Sequence, residues 1–393
     1  MGEVANIPQL RFPEFSNEWE ESKVGKVFKV SAGGDIKTEN VSQIKTDGFP
    51  YPIYANAEKA KGLYGYSNLY KSEANVVTVA GRGVNIGIAH VRLEPFYPIV
   101  RLLVLNPIKD ADVKFWENQL NQLNLFVEST GVPQLTAPQI SSYKVKYPSK
   151  PEQQKIAAFL TAVDNKIEQL SKKQELLGEY KKGLMQQIFS QAIRFKADDG
   201  SEFPDWEEKK LGGMIDIVVD NRGKTPPVVK ERNIPLIEVN AIGSKSIDYK
   251  KVSKFVTPET FKNWFRKYLN NGDILFSTVG QTAVCSIYFD SVKAAIAQNI
   301  VGLRFSSEDF KFMYYLLTER KNNHKFKRIE MGAVQPSVKV SQMIHIDFKI
   351  PSFPEQQKIA NFLSSIDNKI EQVGKQLRES KQFKKALLQQ MFV

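Results

Sequence analysis

The heptapeptide Pro151-Glu-Gln-Gln-Lys-Ile-Ala157 recurs as Pro354-Glu-Gln-Gln-Lys-Ile-Ala360, and Asp164-Asn-Lys-Ile-Glu-Gln169 recurs as Asp367-Asn-Lys-Ile-Glu-Gln372. The offset is 203 in both cases, without a gap. It still holds further on, where Lys181-Lys182, Leu184, Gln186-Gln187 and Phe189 match Lys384-Lys385, Leu387, Gln389-Gln390 and Phe392. Fifteen of the nineteen residues from 151 to 169 are identical in the second copy. A repeat this close marks one structural element used twice, with about one domain of sequence between the copies.

Each copy reads as one long helix. Proline stands at the start, where its missing N–H costs nothing, and Glu152 or Glu355 follows in the first turn, where the helix dipole favours an anion. Apolar residues step by four and three: Ile156, Leu160, Val163, Ile167, Leu170, Leu177, Leu184 and Ile188, then Ile359, Leu363, Ile366, Ile370, Val373, Leu377, Leu387 and Met391. This spacing is a coiled-coil seam. It breaks at Gln174 and Lys181, and at Ser380 and Lys384, where Tyr180 and Phe383 are expected to take over the contact through a local stutter. The simplest partner for each helix is the other copy. Chain order then predicts an antiparallel pair related by a pseudo-twofold axis, each helix spanning roughly 60 Å, with a globular domain at each end. The bland alternative is a pair of ordinary bundle helices.

Residues 1–150 and 192–353 share a plan more than a sequence. Leu10-Arg-Phe12 with Trp19 opens the first, and Ile193-Arg-Phe195 with Trp206 opens the second. A strand, a glycine turn and another strand follow: Val76–Val79, Gly81-Arg-Gly83 and Ile86–Val91, against Ile274–Phe276, Val279-Gly-Gln281 and Ala283–Phe289. Next come a β-branched strand (Ile99–Leu105, Ile300–Phe305), a helix (about 112–127, 308–329) and a Gly-x-x-Gln loop (Gly131 to Gln134, Gly332 to Gln335). A last strand leads into each long helix. Strand-rich domains with two long helices make a mixed α+β chain, divided as 1–150, a helix 151–191, 192–353 and a helix 354–393.

Composition narrows the function. The chain has 393 residues, 42% apolar and 25% charged, with a formal net charge of +12. That surplus favours a polyanionic partner. No apolar run is long enough to span a membrane. Met1–Pro13 lacks a signal-peptide core, and Asn6 spoils a myristoylation motif at Gly2. The lone Cys285 excludes an internal disulfide and fits a reducing cytoplasm.

Catalytic signatures are missing. Asn106-Pro-Ile108 and Thr225-Pro-Pro227 do not make an adenine methyltransferase motif, and Gly81-Arg-Gly83 with Gly87 lacks dinucleotide spacing. Asp205 beside Glu207-Glu-Lys209 imitates a nuclease signature, but its carboxylates are nearly adjacent. His90, His324 and His345 are scattered, with no metal-ligand spacing and no Walker loop. DNA readout is better supplied. Arg82 on its turn suits guanine and Gln281, opposite it, suits adenine. Asn85, Gln134 and Gln335 lie in the same loops. Lys61-Gly-Leu-Tyr64-Gly-Tyr66 and Asn221-Arg222-Gly-Lys224-Thr-Pro226 are basic loops. Arg320-Lys321 with His324-Lys325 and Lys327-Arg328 is a cationic cluster suited to phosphates. Each loop could instead be ordinary surface, and the cations also suit a helix C-terminus.

Taken together, the two helix starts, Gly131-Val-Pro-Gln-Leu-Thr136, Gly-Asp-Ile-Leu-Phe-Ser277 and the order domain–helix–domain–helix resemble the specificity subunit of type I restriction–modification systems along the whole chain. The resemblance implies two β-rich target-recognition domains separated by two long antiparallel coiled-coil helices. Each domain would read half of a split duplex site. The helices would set the unread gap and dock two modification subunits, with two restriction subunits joining where cleavage occurs. The chain itself would be non-catalytic and without cofactor or metal. S-adenosylmethionine, ATP and Mg2+ would belong to partners, and the setting would be bacterial or archaeal cytoplasm without membrane contact. A coiled-coil protein-binding scaffold without DNA readout is the competing reading.

Overall fold

The computed structural model describes residues 7–57, 59–123, 125, 133–221, 223–289, 292–332 and 334–393. The chain forms two compact units: residues up to Ser171 with Lys375–Val393, and Lys172–Gly374.

In unit 1, β1 (Glu20–Lys23) and α1 (Val24–Val27) lead to β2 (Phe28–Ala32), β3 (Val41–Ser42), β4 (Tyr51–Tyr54), β5 (Leu63–Ser67), β6 (Val76–Val79), β7 (Ala89–Arg92), β8 (Tyr97–Pro98) and β9 (Leu103–Pro107). Then come α2 (Val113–Asn121), α3 (Ala137–Ser142), β10 (Lys144–Tyr147) and the long α4 (Lys150–Phe189), whose second half enters unit 2. Two four-stranded sheets, β2-β9-β6-β7 and β3-β5-β4-β8, make the body. The entry strand β1 pairs antiparallel with the exit strand β10. The chain thus enters and leaves at one place, and α4 begins there.

Unit 2 repeats this plan. It contains β11 (Glu207–Lys210), α5 (Leu211–Met214), β12 (Ile217–Val219), β13 (Ile234–Ile237), β14 (Phe255–Val256), α6 (Pro258–Trp264), β15 (Ile274–Ser277), β16 (Cys285–Ile287), β17 (Ala295–Ile296) and β18 (Ile300–Arg304). These are followed by α7 (Phe310–Thr318), α8 (Arg320–Lys327), α9 (Val340–Met343), β19 (Asp347–Ile350) and the long α10 (Phe353–Met391). The sheets are β12-β18-β15-β16, β14-β13-β17 and the entry–exit pair β11-β19.

The helix expected over 308–329 is two helices. Glu319 leaves helical geometry (φ −60°, ψ 137°), and its buried carboxylate accepts the Asn322 N–H at 2.9 Å, starting α8 afresh. The strand expected from Ile99 begins only at Leu103, because Val100 and Arg101 turn through positive φ (51° and 58°).

The start of each long helix is a clamp. In unit 1 the Glu152 carboxylate accepts the Arg11 Nε–H and Nη2–H, both at 2.7 Å, and the Trp19 Nε1–H at 3.3 Å. In unit 2 Glu355 accepts the same groups of Arg194 (3.0 and 2.9 Å) and Trp206 (3.2 Å). Both glutamates are buried. The next residue is used alike. Gln153 donates to Pro148 O and accepts the Asp112 N–H, while Gln356 donates to Pro351 O and accepts the Asp309 N–H. An ionised carboxylate is held inside a protein only when paired and hydrogen-bonded.

The far end of each helix docks where the other begins. In unit 1, Leu387 and Met391 of α10 and the following Phe392 join the core of Ile156, Ala157 and Leu160, and the Phe392 ring lies 5.5 Å from Phe115 and 6.2 Å from Trp19. In unit 2, Ile188 of α4 joins Ile359, Ala360, Leu363 and Ile366, and Phe189 lies 5.7 Å from Phe312 and 6.3 Å from Trp206. Both contacts are those of an antiparallel pair. Of the expected seam, Ile156, Leu160, Leu170, Ile359, Leu363, Ile366 and Val373 are buried, and Val163, Ile167 and Ile370 are half-buried.

At the two lysine breaks the seam is closed by ion pairs, not aromatic contacts. Lys181 bridges to Asp367 at 2.5 Å and Lys384 to Asp164 at 2.6 Å, again at the 203 offset. Tyr180 and Phe383, expected in the seam, face solvent at 56% and 53% exposure. A lysine stem covers apolar surface while its ammonium reaches a carboxylate, so the seam loses little by accommodating it. Gly178 and Gly183 lie inside the unbroken α4, and a Cβ at either would meet nothing within 4 Å. Each costs about 1 kcal/mol of helix propensity relative to alanine.

Replacing Glu152 by alanine should destabilise unit 1 by about 3 kcal/mol in denaturant unfolding followed by tryptophan fluorescence, because Arg11 and Trp19 both lose their acceptor. Lys172→Ala, which removes only an exposed i,i+3 pair, should change stability by less than about 0.5 kcal/mol.

Candidate nucleic-acid interface

In unit 1 the loop Ala80–Ile88 joins β6 to β7 and closes on itself, with the Ala80 N–H donating to Ile88 O and the Gly87 N–H to Ala80 O. A Cβ at Gly81 would stand 2.9 Å from Arg101 O and 3.0 Å from Leu135 O, so only glycine lets the three strands of chain meet. Asn56 ties the junction: its Oδ1 accepts the Gly81 N–H at 2.9 Å and its Nδ2 donates to Val100 O at 2.6 Å. Arg82 then reaches Gln134, donating to its Oε1 from Nε (3.3 Å) and Nη2 (3.0 Å). Two residues nominated from different parts of the sequence therefore stand side by side. Gly131 and Val132 lie outside the described residues.

Unit 2 builds the same junction from other side chains. The turn after β15 is held by Ser277 Oγ, which donates to Gln281 O at 2.6 Å, and by the Gly280 N–H, which donates to Pro336 O at 2.8 Å. Gln281 and Gln335 are exposed on this turn and on the neighbouring hairpin closed by Met331 and Ser337. Val279 pairs with Ser337 as Arg82 pairs with Gln134, so these two hold the matching places, and the sequence overlay of Gln281 on Arg82 is off by two residues.

Of the other candidates, Lys61 is exposed at positive φ, and its carbonyl accepts from Arg92 Nη2 at 2.7 Å. Tyr64 is exposed, Tyr66 is half-buried on β5, and Asn85 donates to Asn56 O at 3.4 Å. Lys224 is exposed, whereas Arg222 lies outside the described residues. Arg328 is exposed at the end of α8. Lys325 is a correction to the phosphate-contact expectation: its ammonium donates to Asp347 O at 2.6 Å and rests 4.6 Å above the Phe348 ring. Burial pushes that ammonium below its ordinary range. Lys325 fastens α8 to β19.

Four contributors escaped the sequence reading. Asn56 and Arg101 are brought to the Arg82 turn only by tertiary folding, and no local pattern marks them. Val84 and Val334 stand at the two loop tips, 97% and 99% exposed. Two valines in glycine-containing loops were a signal available but unread.

Chemistry of other kinds finds little support. Cys285 is fully buried, and burial pushes its thiol far above the usual range, away from nucleophilic thiolate. His90 lies 3.5 Å from Glu117, whose Oε1 also accepts the Val91 N–H. Among the described residues no group of three His, Cys, Asp or Glu is arranged to hold a metal, and no helix is long and apolar enough to cross a membrane.

A twice-used helix and two differently furnished loop pairs define a recognition chain with an internal repeat. The family model for the type I restriction modification DNA specificity domain matches residues 16–177 and again 204–379. The chain belongs to this family. It is 28% identical over 305 residues to the type I restriction enzyme MjaVIII specificity subunit of Methanocaldococcus jannaschii, covering 74% of this chain and 71% of that one. It is 26% identical to the putative MjaX specificity subunit of the same organism, covering 98% and 95%. Its fold is similar to the crystal structure of a type I S subunit from M. genitalium, with TM-score 0.64, 15% identity and coverage of 98% and 99%. It is also similar to a chain from a study of complex assembly and conformational transition of the type I system, with TM-score 0.53, 14% identity and coverage of 94% and 96%. The chain is the DNA sequence-recognition subunit of a type I complex and a non-catalytic member of it.

Asn56→Ala should leave the Gly81 N–H without its acceptor and loosen the junction locally by about 1–2 kcal/mol. Amide exchange at Gly81 should speed up accordingly, while exchange in β9 stays unchanged.

Proposed function

We propose that residues 1–150 and 192–353 each read one half of a bipartite duplex site, and that helices 151–191 and 354–393 set the unread gap. The observation that carries this is the recurrence of one junction with different side chains: Arg82 paired with Gln134 in unit 1, and Val279 paired with Ser337 in unit 2, where Gln281 and Gln335 stand exposed on the same two loops. Arginine pairs bidentately with guanine and glutamine with adenine in the major groove. The exposed tips Val84 and Val334 suit thymine methyls. Lys61, Tyr64, Tyr66, Asn85, Lys224 and Arg328 would position the backbone. Lys325 is withdrawn from the set.

Two modification subunits would dock on the helices. Tyr180 and Phe383 support this: each copy of the repeat leaves one aromatic ring in water at the same register, and exposed aromatics are favoured interface anchors. S-adenosylmethionine, with ATP and Mg2+ for restriction, would be bound by those partners and by restriction subunits, in the cytoplasm of the host.

The methylated motif of a host carrying the chain should be two short sequences separated by a stretch where base changes do not matter. One uninterrupted motif defeats the proposal. Arg82→Ala should relax one position by about 1–3 kcal/mol, and exchanging residues 1–150 for those of a relative should change one half-site only. Tyr180→Ala and Phe383→Ala should each weaken retention of one modification subunit, seen as a loss of mass on native mass spectrometry.

A further inference from the structure

Within unit 2 a half-open cleft lies between the last third of α4 and the α7–α8 elbow. Its two lobes hold about 470 and 560 Å3 and share Gln186, Arg320 and Asn323. Its cations come from two elements: Lys181 and Lys182 from α4, and Arg320, Lys321 and Lys327 from α8. Lys181 is bridged to Asp367 and Lys327 to Glu330. Lys182, Arg320 and Lys321 have no carboxylate in ion-pair range among the described residues, and all three are exposed. Glu319, the acid in the lining, is buried and engaged in capping α8. The cleft is therefore electropositive on both walls.

Two further observations point to an occupant from outside the chain. Gly178 lines the cleft, yet a Cβ there would meet no atom of the protein within 4 Å. The matching position in α10 is Lys381, so the helix register itself does not call for glycine. The missing side chain leaves room for something approaching α4 closely. The α8 wall is also fastened to the reading turn: Asn323 Nδ2 donates to Ala283 O at 2.7 Å and Lys327 Nζ to Thr282 Oγ1 at 2.8 Å. The cleft and Gln281 thus belong to one rigid surface.

We propose that this cleft seats a backbone phosphate of the duplex whose bases meet the Gln281 turn. The phosphate passes over Gly178 and is held by Lys182 and Gln186 of α4 and by Arg320 and Lys321 of α8. The inference rests on the DNA-reading function and adds to it. The long helix does more than measure: it grips the sugar–phosphate backbone and supplies affinity that carries no sequence information.

The test uses the complete complex with its modification subunits, titrated with salt on a duplex bearing the recognised motif and on one lacking it. Lys182→Gln with Arg320→Gln should weaken both duplexes alike, about tenfold, and make the salt dependence shallower by about one to two phosphate contacts. The methylated motif should stay the same. Gly178→Leu should lower affinity without lowering the melting temperature, since it removes a helix-interior glycine. Lys173→Gln, on exposed α4 surface, should leave affinity unchanged. An unaltered salt slope in the double variant overturns the proposal. So does a loss confined to one base position, which would make the cleft a reader, or a loss of modification subunits from Gly178→Leu with DNA affinity intact, which would make it a protein-docking face. Inorganic phosphate at constant ionic strength should compete with the duplex in the wild type and not in the double variant. If the wild-type complex itself prefers no duplex, the DNA-reading function fails first, a result distinct from all of these.

Discussion

A buried carboxylate at the head of each long helix is the interaction on which the rest depends. Glu152 and Glu355 are removed from water and made tolerable by an arginine fork and an indole N–H that arrive from the entry segment. Taking a charge out of water is costly unless its lone pairs are filled, so the helix can start only where the entry segment has already come back to meet it. The entry–exit strand pairs β1-β10 and β11-β19 follow from the same closure. So does the aromatic cage of Trp19 and Phe115, or Trp206 and Phe312, which the opposite helix fills with its terminal phenylalanine.

This explains which residues repeat and which do not. Every residue of the clamp, the cage and the interhelical ion pairs has a counterpart in the other half. Packing is intolerant of change because interiors are close-packed. The junction loops obey a looser rule. Their backbone bonds match, yet Arg82 becomes Val279 and Gln134 becomes Ser337, because loop side chains outside the core are not held by its packing. One scaffold can thereby carry two addresses.

Charge along the helices is placed with similar economy. Lys181–Asp367 and Lys384–Asp164 interrupt the apolar seam and specify its register, since a slipped pairing would strand a charge against aliphatic surface. Asp367 also accepts from the Tyr315 hydroxyl at 2.5 Å, and burial, then this bond, pushes that phenol up. The helix pair is thus keyed to the domain beside it as well as to its partner helix.

The sequence by itself determined the repeat, the two long helices, their antiparallel tendency and the α+β class, because helix periodicity and near-identity are local properties that survive without knowledge of contacts. It nominated Arg82 and Gln134, which the fold brings together, but set Gln281 and Gln335 opposite them, two residues away from the matching positions Val279 and Ser337. Only the tertiary structure decided that Glu152 answers Arg11 from 141 residues away, that Lys181 is a seam partner and not a seam defect, and that Tyr180 and Phe383 face water. It alone separated Lys325, spent on Asp347 O, from its exposed neighbours on α8, and brought Asn56 and Arg101 to the Arg82 turn. The physical reason is range. A helix is chosen by residues three and four apart, whereas the fate of a charge or an aromatic ring is chosen by whichever group the folded chain brings against it.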